Sequence, residues 1–147
     1  MNKNFEPHTS SLGIDANIVM LISYFGGILV SFIPVINSLA WTVPLLIFLL
    51  EKDSKYVKFH ALQSLFMEIL GLVISLIVVI LLAISTASAL LSGSLNMLGI
   101  AGITSLVSLI MSILMFIFSI VAAIKGWSYE CYKIPIIGTL AEKLALK

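Results

Sequence analysis

The sequence predicts an all-α integral membrane protein with four transmembrane helices and a C-terminal amphipathic surface helix. Three observations predict it. Of its 147 residues, 61% are hydrophobic and only 10% charged, with mean hydropathy +1.19. Soluble domains carry about 25% charged residues, and a chain this short cannot enclose so much apolar surface in a core of its own. The apolar residues also fall into four runs separated by turn residues, and all eight basic residues are lysines grouped in three places.

Residues 1–14 read as a flexible cytoplasmic N-terminus, 15–126 as a four-helix transmembrane domain, and 127–147 as a cytoplasmic interfacial tail helix. Pro7 and several polar residues argue for a loose start. Asp15 is suited to cap the first helix through its carboxylate. The first apolar run, Ile18 to Ile36, is about long enough to cross a hydrocarbon core of roughly 30 Å. Gly26 and Gly27 inside it let a neighbouring helix approach closely. Pro34 and Asn37-Ser38 mark a turn.

The second run, Leu39 to Leu50, is short by the same rule. A marginal span is preferred, and a re-entrant hairpin stays open. Pro44 falls in its first turns, where a missing N–H does least harm. Asp53 or Ser54 can cap a third helix beginning near Lys55 and running to about Leu91. At 1.5 Å per residue that helix rises about 50 Å, so its first turns stand outside the hydrocarbon or it bends near Gly71. Ser92 to Asn96 form the next turn, and Leu98 to Ile124 is the fourth run. In the tail, Thr139 to Glu142 has the form of a capping box. Leu140, Ala141, Leu144 and Ala145 share one side of the helix it would start, as in helices that lie along a membrane surface.

The lysines give an orientation. Lys3 precedes the first run; Lys52, Lys55 and Lys58 lie between the second and third; Lys125, Lys133, Lys143 and Lys147 follow the fourth. The two other connections carry no charge. The positive-inside rule then places both termini and the central loop in the cytoplasm of a multi-pass cell-membrane protein. A re-entrant hairpin returns to its own side and satisfies the same rule.

Several residues stand out as candidates. Ser105, Ser108, Ser112 and Ser119 recur at spacings of three, four and seven, on one face of the fourth helix. Gly71 and Ser75 belong to a corresponding face of the third. These are expected to pack the two helices together. Glu68 is an acid entering a membrane helix, which is by default a candidate for ion or proton handling or for gripping a polar partner. His60 and Gln63 are polar positions one turn apart beside the lysines. No catalytic signature, phosphate loop or metal-ligand spacing is present, so no catalytic residue, cofactor or metal is assigned. The single Cys131 permits no internal disulfide. A net charge of +1 makes nucleic acid an unsuitable partner. The expected partners are the lipid bilayer and a membrane protein or a second copy of the chain.

Two segments carry a resemblance. Leu50 to Ser64, centred on Phe59-His60-Ala61-Leu62-Gln63, and the tail Tyr132-Lys-Ile-Pro135-Ile-Ile-Gly138 with Leu140-Ala-Glu142-Lys143, resemble the signature motifs of a bacterial and archaeal family of small membrane proteins of uncharacterised function. That family is similar to the four-helix membrane subunit of the chloroplast Tic protein-import complex. Phe59, His60 and Gln63 match its pattern, as do Tyr132, Pro135, Gly138 and Glu142; Glu68 lies outside it. The stretch from Pro34 to Pro44 departs from it, being longer than the family's compact turn. The resemblance implies a small non-enzymatic membrane subunit that assists translocation within a larger complex. Beside it stand a scaffold or regulatory protein with no transport path, and a proton or ion carrier using Glu68.

Overall fold

Proline and glycine punctuation cuts the chain into helices of very unequal length. The computed structural model describes residues 3–36, 39–93 and 96–145. Among these are β1 (Lys3–Asn4), α1 (Ala16–Ser31), α2 (Thr42–Leu50), α3 (Lys55–Ser92), α4 (Asn96–Trp127), β2 (Glu130–Cys131) and α5 (Ile137–Ala145). The expected turn residues Asn37-Ser38 and Ser94-Leu95, and the last lysine, Lys147, lie outside the described residues. Two compact units emerge, residues 1–68 with 118–147, and residues 69–117. This division differs from the expected one of N-terminus, membrane domain and tail.

In the first unit the N-terminal segment is tied down, which corrects the expectation of a loose end. β1 pairs antiparallel with β2, Lys3 opposite Cys131 and Asn4 opposite Glu130. Phe5 N–H continues the pairing to the Tyr129 carbonyl at 3.0 Å, and Ala16 N–H reaches back to the His8 carbonyl at 3.0 Å. These bonds satisfy a backbone that would otherwise be left unpaired against the protein. Asp15 occupies the N-cap of α1, but its side chain makes no capping bond. Its carbonyl receives Ile18 and Val19 N–H instead, and its backbone forms a bridge with Thr9. Capping of α3 goes to Ser54, whose Oγ accepts Val57 N–H at 3.1 Å.

α1 and α2 form a short helical hairpin. α2 has nine residues and rises about 14 Å, under half the roughly 30 Å of a hydrocarbon core. As a helix alone it is too short to cross a bilayer. The cause is local: α1 stops at Ser31, Val35 takes a left-handed φ of 76°, and Pro44 forces a fresh helix start. Gly26 and Gly27 lie where α1 meets α2. A Cβ at Gly26 would sit 2.9 Å from Val43 Cγ1, and one at Gly27 would sit 3.0 Å from the Ala40 carbonyl oxygen; in both cases the neighbour would have to shift to admit a side chain.

The second unit comprises the later part of α3 and the earlier part of α4. Residues 69–117 contain no charged residue, and α3 runs unbroken through Gly71. α3 and α4 each contain a stretch long and apolar enough to cross a membrane, Lys55–Leu91 and Gly99–Trp127. Gly93, at φ +63°, closes α3 with its N–H on the Ala89 carbonyl, the left-handed glycine cap that ends many helices. The serine faces differ from expectation. Ser75, Ser105 and Ser112 are exposed, and each hydroxyl donates to a carbonyl of its own helix, of Leu72, Ala101 and Ser108 respectively, at 2.8–2.9 Å. Ser108 is half-buried. A Cβ at Gly71 would meet only Met115 Cε, at 4.0 Å, so Gly71 does not mark a close backbone approach. Serine hydroxyls in apolar helices satisfy themselves this way, and periodicity alone did not reveal it.

In the tail, α5 begins at Ile137, so Thr139 is already inside the helix and the expected capping box is not formed. Glu142 instead holds Lys133, with Nζ 2.7 Å from Oε2. Gly138, Ala141 and Ala145 are buried while Leu140 and Leu144 are exposed; the two leucines and two alanines therefore do not act as one face.

Candidate functional site

The two sequence motifs meet in the first unit, and Gln63 joins them. Its placement follows from α3: capped at Ser54, the helix turns Tyr56, Phe59, His60 and Gln63 inward, all fully buried. The Gln63 amide then behaves as a displaced peptide group. Nε2 donates to the Tyr132 carbonyl at 3.1 Å, and Oε1 accepts Ile134 N–H at 3.2 Å. Because a backbone N–H can only donate, Ile134 fixes which end of the amide is oxygen. Nε2 also donates to Tyr24 Oη at 2.7 Å.

The chain of hydrogen bonds continues. Tyr24 Oη, which accepts from Gln63, is also hydrogen-bonded to His60 Nδ1 at 3.2 Å. His60 Nε2 is buried without a partner in full hydrogen-bond geometry; the Glu130 backbone is the polar group that acts on the ring. Ser64 Oγ donates to the Ser23 carbonyl, Ser23 Oγ to the Met20 carbonyl, and Tyr56 Oη to the Gly126 carbonyl. In this way α1, α3 and the end of α4 are joined by side-chain-to-backbone bonds.

Rings fill the space between these bonds. His60 stands edge-on to Tyr56 at 4.7 Å and to Tyr24 at 5.8 Å. Tyr56 contacts Tyr129 at 5.3 Å and Phe5 at 5.8 Å. Such edge and offset arrangements each add about 0.5–1.5 kcal/mol beyond burial. Phe59 is fully buried beside His60 and is a core residue. Gly138 admits the tail, and Gly126 lets the end of α4 close on α1 and α3. A Cβ at Gly138 would sit 2.6 Å from Gln63 Oε1 and 2.6 Å from Lys133 Cα, and one at Gly126 would sit 2.7 Å from Met20 Cε.

A second node lies at Glu51, where α2 hands over to α3. Its Oε1 accepts Ser54, Asp53 and Ser11 N–H at 2.9, 3.1 and 3.2 Å, and Oε2 accepts the Ser10 hydroxyl. Ser11 Oγ in turn accepts Lys52 N–H at 2.8 Å. Burial pushes the Glu51 carboxyl up, but the hydrogen bonds from Ser10, Ser54 and Ser11 outweigh it and hold it down to about 2. Beside this node, His8 Nδ1 donates to the Glu6 carbonyl at 2.7 Å, so its Nε2 accepts the Ser54 hydroxyl at 2.7 Å.

The structure thus gathers Phe59, His60, Gln63, Tyr132, Gly138 and Glu142 into one unit. Pro135 is exposed at the turn into α5, where Ile136 takes φ 68°. Glu68 is half-buried and takes part in none of the bonds above. The sequence reading passed over Tyr24, Tyr56, Glu51, Ser54 as a partner of His8, and Gly126. Only Tyr24 and Glu51 carried a signal: each is a polar group inside or at the edge of an apolar run. Among the described residues no group of three His, Cys, Asp or Glu side chains is placed to hold a metal ion.

Residues 15–141 match the model of the magnetosome magnetite crystal formation protein family. The chain is also similar to two UPF0132 membrane proteins of Methanocaldococcus jannaschii. One is 31% identical over 134 residues, covering 91% of this chain and 92% of the relative. The other is 29% identical over 140 residues, covering 95% of this chain and 77% of the relative. No solved structure matches. The matched region takes in both motifs. The relatives are named as membrane proteins, which with the two long apolar helices supports a membrane location. None of these findings bears on the chloroplast import subunit.

Proposed function

This chain belongs to the magnetosome magnetite crystal formation protein family, and from that premise we propose that it is a non-enzymatic membrane scaffold, which presents a fixed cytoplasmic platform to another membrane protein or a second copy of itself. Family membership does not fix function, so magnetite crystal formation is not carried over from the family's name. The observation that supports the scaffold reading is the Gln63 bond pair: it locks the two motifs onto one another and uses them as structure. The translocation reading rests on resemblance to the import subunit alone. In residues 69–117 the hydroxyls of Ser75, Ser105 and Ser112 donate to carbonyls of their own helices, which argues against a polar path.

In this reading the hairpin of residues 69–117 spans the bilayer. Its two arms, 69–92 and 96–117, rise about 36 and 33 Å, close to the roughly 30 Å needed. Every lysine among the described residues lies in the first unit, and these face the cytoplasm. The α1–α2 hairpin is re-entrant. In a Cys131→Ala background, Val35→Cys in intact cells is expected to resist a membrane-impermeant thiol reagent, while Leu91→Cys is labelled from outside. Equal labelling of both would establish four spans instead.

Crosslinking from Lys58 in native membranes tests the function itself. Recovery of a discrete membrane-protein partner or of a homo-oligomer is expected. Recovery of translocase parts or nascent chains would replace the scaffold reading with the import one.

A further inference from the structure

An open groove of about 590 Å³ lies where the end of α2, the following loop, the start of α3 and the end of α5 come together. Its size is within the range of small-molecule sites. Lys52, Lys55 and Lys58 line it, with Asp53 and Glu51. Glu51 and Asp53 offset two of the three lysines and leave one positive charge in excess. The balance favours an anion. Lys58 Nζ donates to the Lys52 carbonyl at 2.7 Å, which fixes the loop that carries the first lysine. The rim is apolar: Leu49 and Leu144 line the groove and are 63% and 61% exposed. A soluble phosphate has no use for exposed leucines, whereas an acyl chain does.

We infer that this groove binds the headgroup of an anionic phospholipid, its phosphate among the three lysines and the start of an acyl chain along Leu49 and Leu144. Lysines at a membrane surface attract anionic lipid, each contributing about fivefold in affinity. The site needs the first unit to lie at the lipid–water boundary, and so rests on the proposed topology. Measured on the purified chain in detergent, binding does not depend on that topology, and thiol labelling tests the latter separately.

The experiment is native mass spectrometry of the full-length protein in micelles with phosphatidylglycerol, phosphatidylcholine or soluble glycerol phosphate. Phosphatidylglycerol is expected to be retained in preference to both. The double variant Lys52→Gln/Lys55→Gln is expected to lose about 30-fold in its affinity. Lys52→Arg/Lys55→Arg keeps it, which shows that the charge and not the fold is at issue. Lys125→Gln, a lysine outside the groove, leaves it unchanged. Equal retention of phosphatidylcholine overturns the proposal, as does glycerol phosphate binding as tightly as the lipid. An equal loss in Lys125→Gln would also overturn it, by reducing the effect to overall charge.

Discussion

Replacing Gln63 by methionine is expected to release the tail from the first unit. The two side chains are similar in volume, so the packing around α3 is kept while three hydrogen bonds vanish: to Tyr24 Oη, the Tyr132 carbonyl and Ile134 N–H. The Tyr132 carbonyl and Ile134 N–H are left without this partner at about 1–3 kcal/mol each, so the loss is about 2–6 kcal/mol, a large part of the 5–15 kcal/mol that holds a domain together. Gln63→Glu is expected to fare little better, because a carboxylate can accept from Ile134 but has no proton for the Tyr132 carbonyl. Gly138→Ala attacks the same contact from the tail, where a Cβ would meet Gln63 Oε1 and Lys133 Cα, both at 2.6 Å. The backbone partner cannot move aside as a flexible side chain would. Faster amide exchange and protease cleavage between Tyr132 and Gly138 are the measurements. Unchanged protection in Gln63→Met would mean that packing alone holds the tail.

The same bond pair shows what a sequence can and cannot disclose. His60 and Gln63 are visible as polar positions beside an apolar run, and Phe59 and the tail motif through the family resemblance. Their being partners is not visible: Gln63 recognises the backbone of Tyr132 and Ile134, and a backbone contact leaves no mark on side-chain identity. Tyr24 is visible as a polar group inside an apolar run, but its partners, His60 and Gln63, are not. The two-residue strands β1 and β2 are too short to generate any alternation. The nine-residue length of α2 is less legible, because hydropathy measures composition and not helix length, and the left-handed Val35 before it is a β-branched residue which does not announce a turn. Long uniform features are legible, the uncharged stretch 69–117 and the lysine grouping, while the cap of α3 is narrowed only to Asp53 or Ser54.

Acidification is expected to loosen the Glu51 node. The carboxyl is held at about 2 in the folded chain against an ordinary value of 4.5, because the backbone N–H groups of Ser11, Asp53 and Ser54 and the Ser10 hydroxyl all donate to the charged form. A depressed folded value contributes stability that is fully present above pH 4.5 and is lost as pH falls from 4.5 toward 2. At neutral pH the contribution is about 3 kcal/mol. The part that responds first is the join between the N-terminal segment and the start of α3, since Ser10 and Ser11 come from one and Ser54 from the other. Amide exchange at Ser11 and Ser54, followed from pH 6 to pH 3, is expected to rise beyond the intrinsic pH effect on exchange. Glu51→Gln keeps the shape of the side chain but cannot titrate, so its opening energy is expected to be lower at pH 6 and flat over this interval. A variant as pH-sensitive as the natural chain would assign the response to another group. His8 joins the same segment to Ser54 by a bond that Glu51→Gln leaves in place, so opening in that variant is expected to be partial. Glu51→Ala, which also removes the acceptor atoms, is expected to strand the buried Ser54 N–H and the part-buried Ser11 and Asp53 N–H donors and to undock the N-terminal segment even at neutral pH.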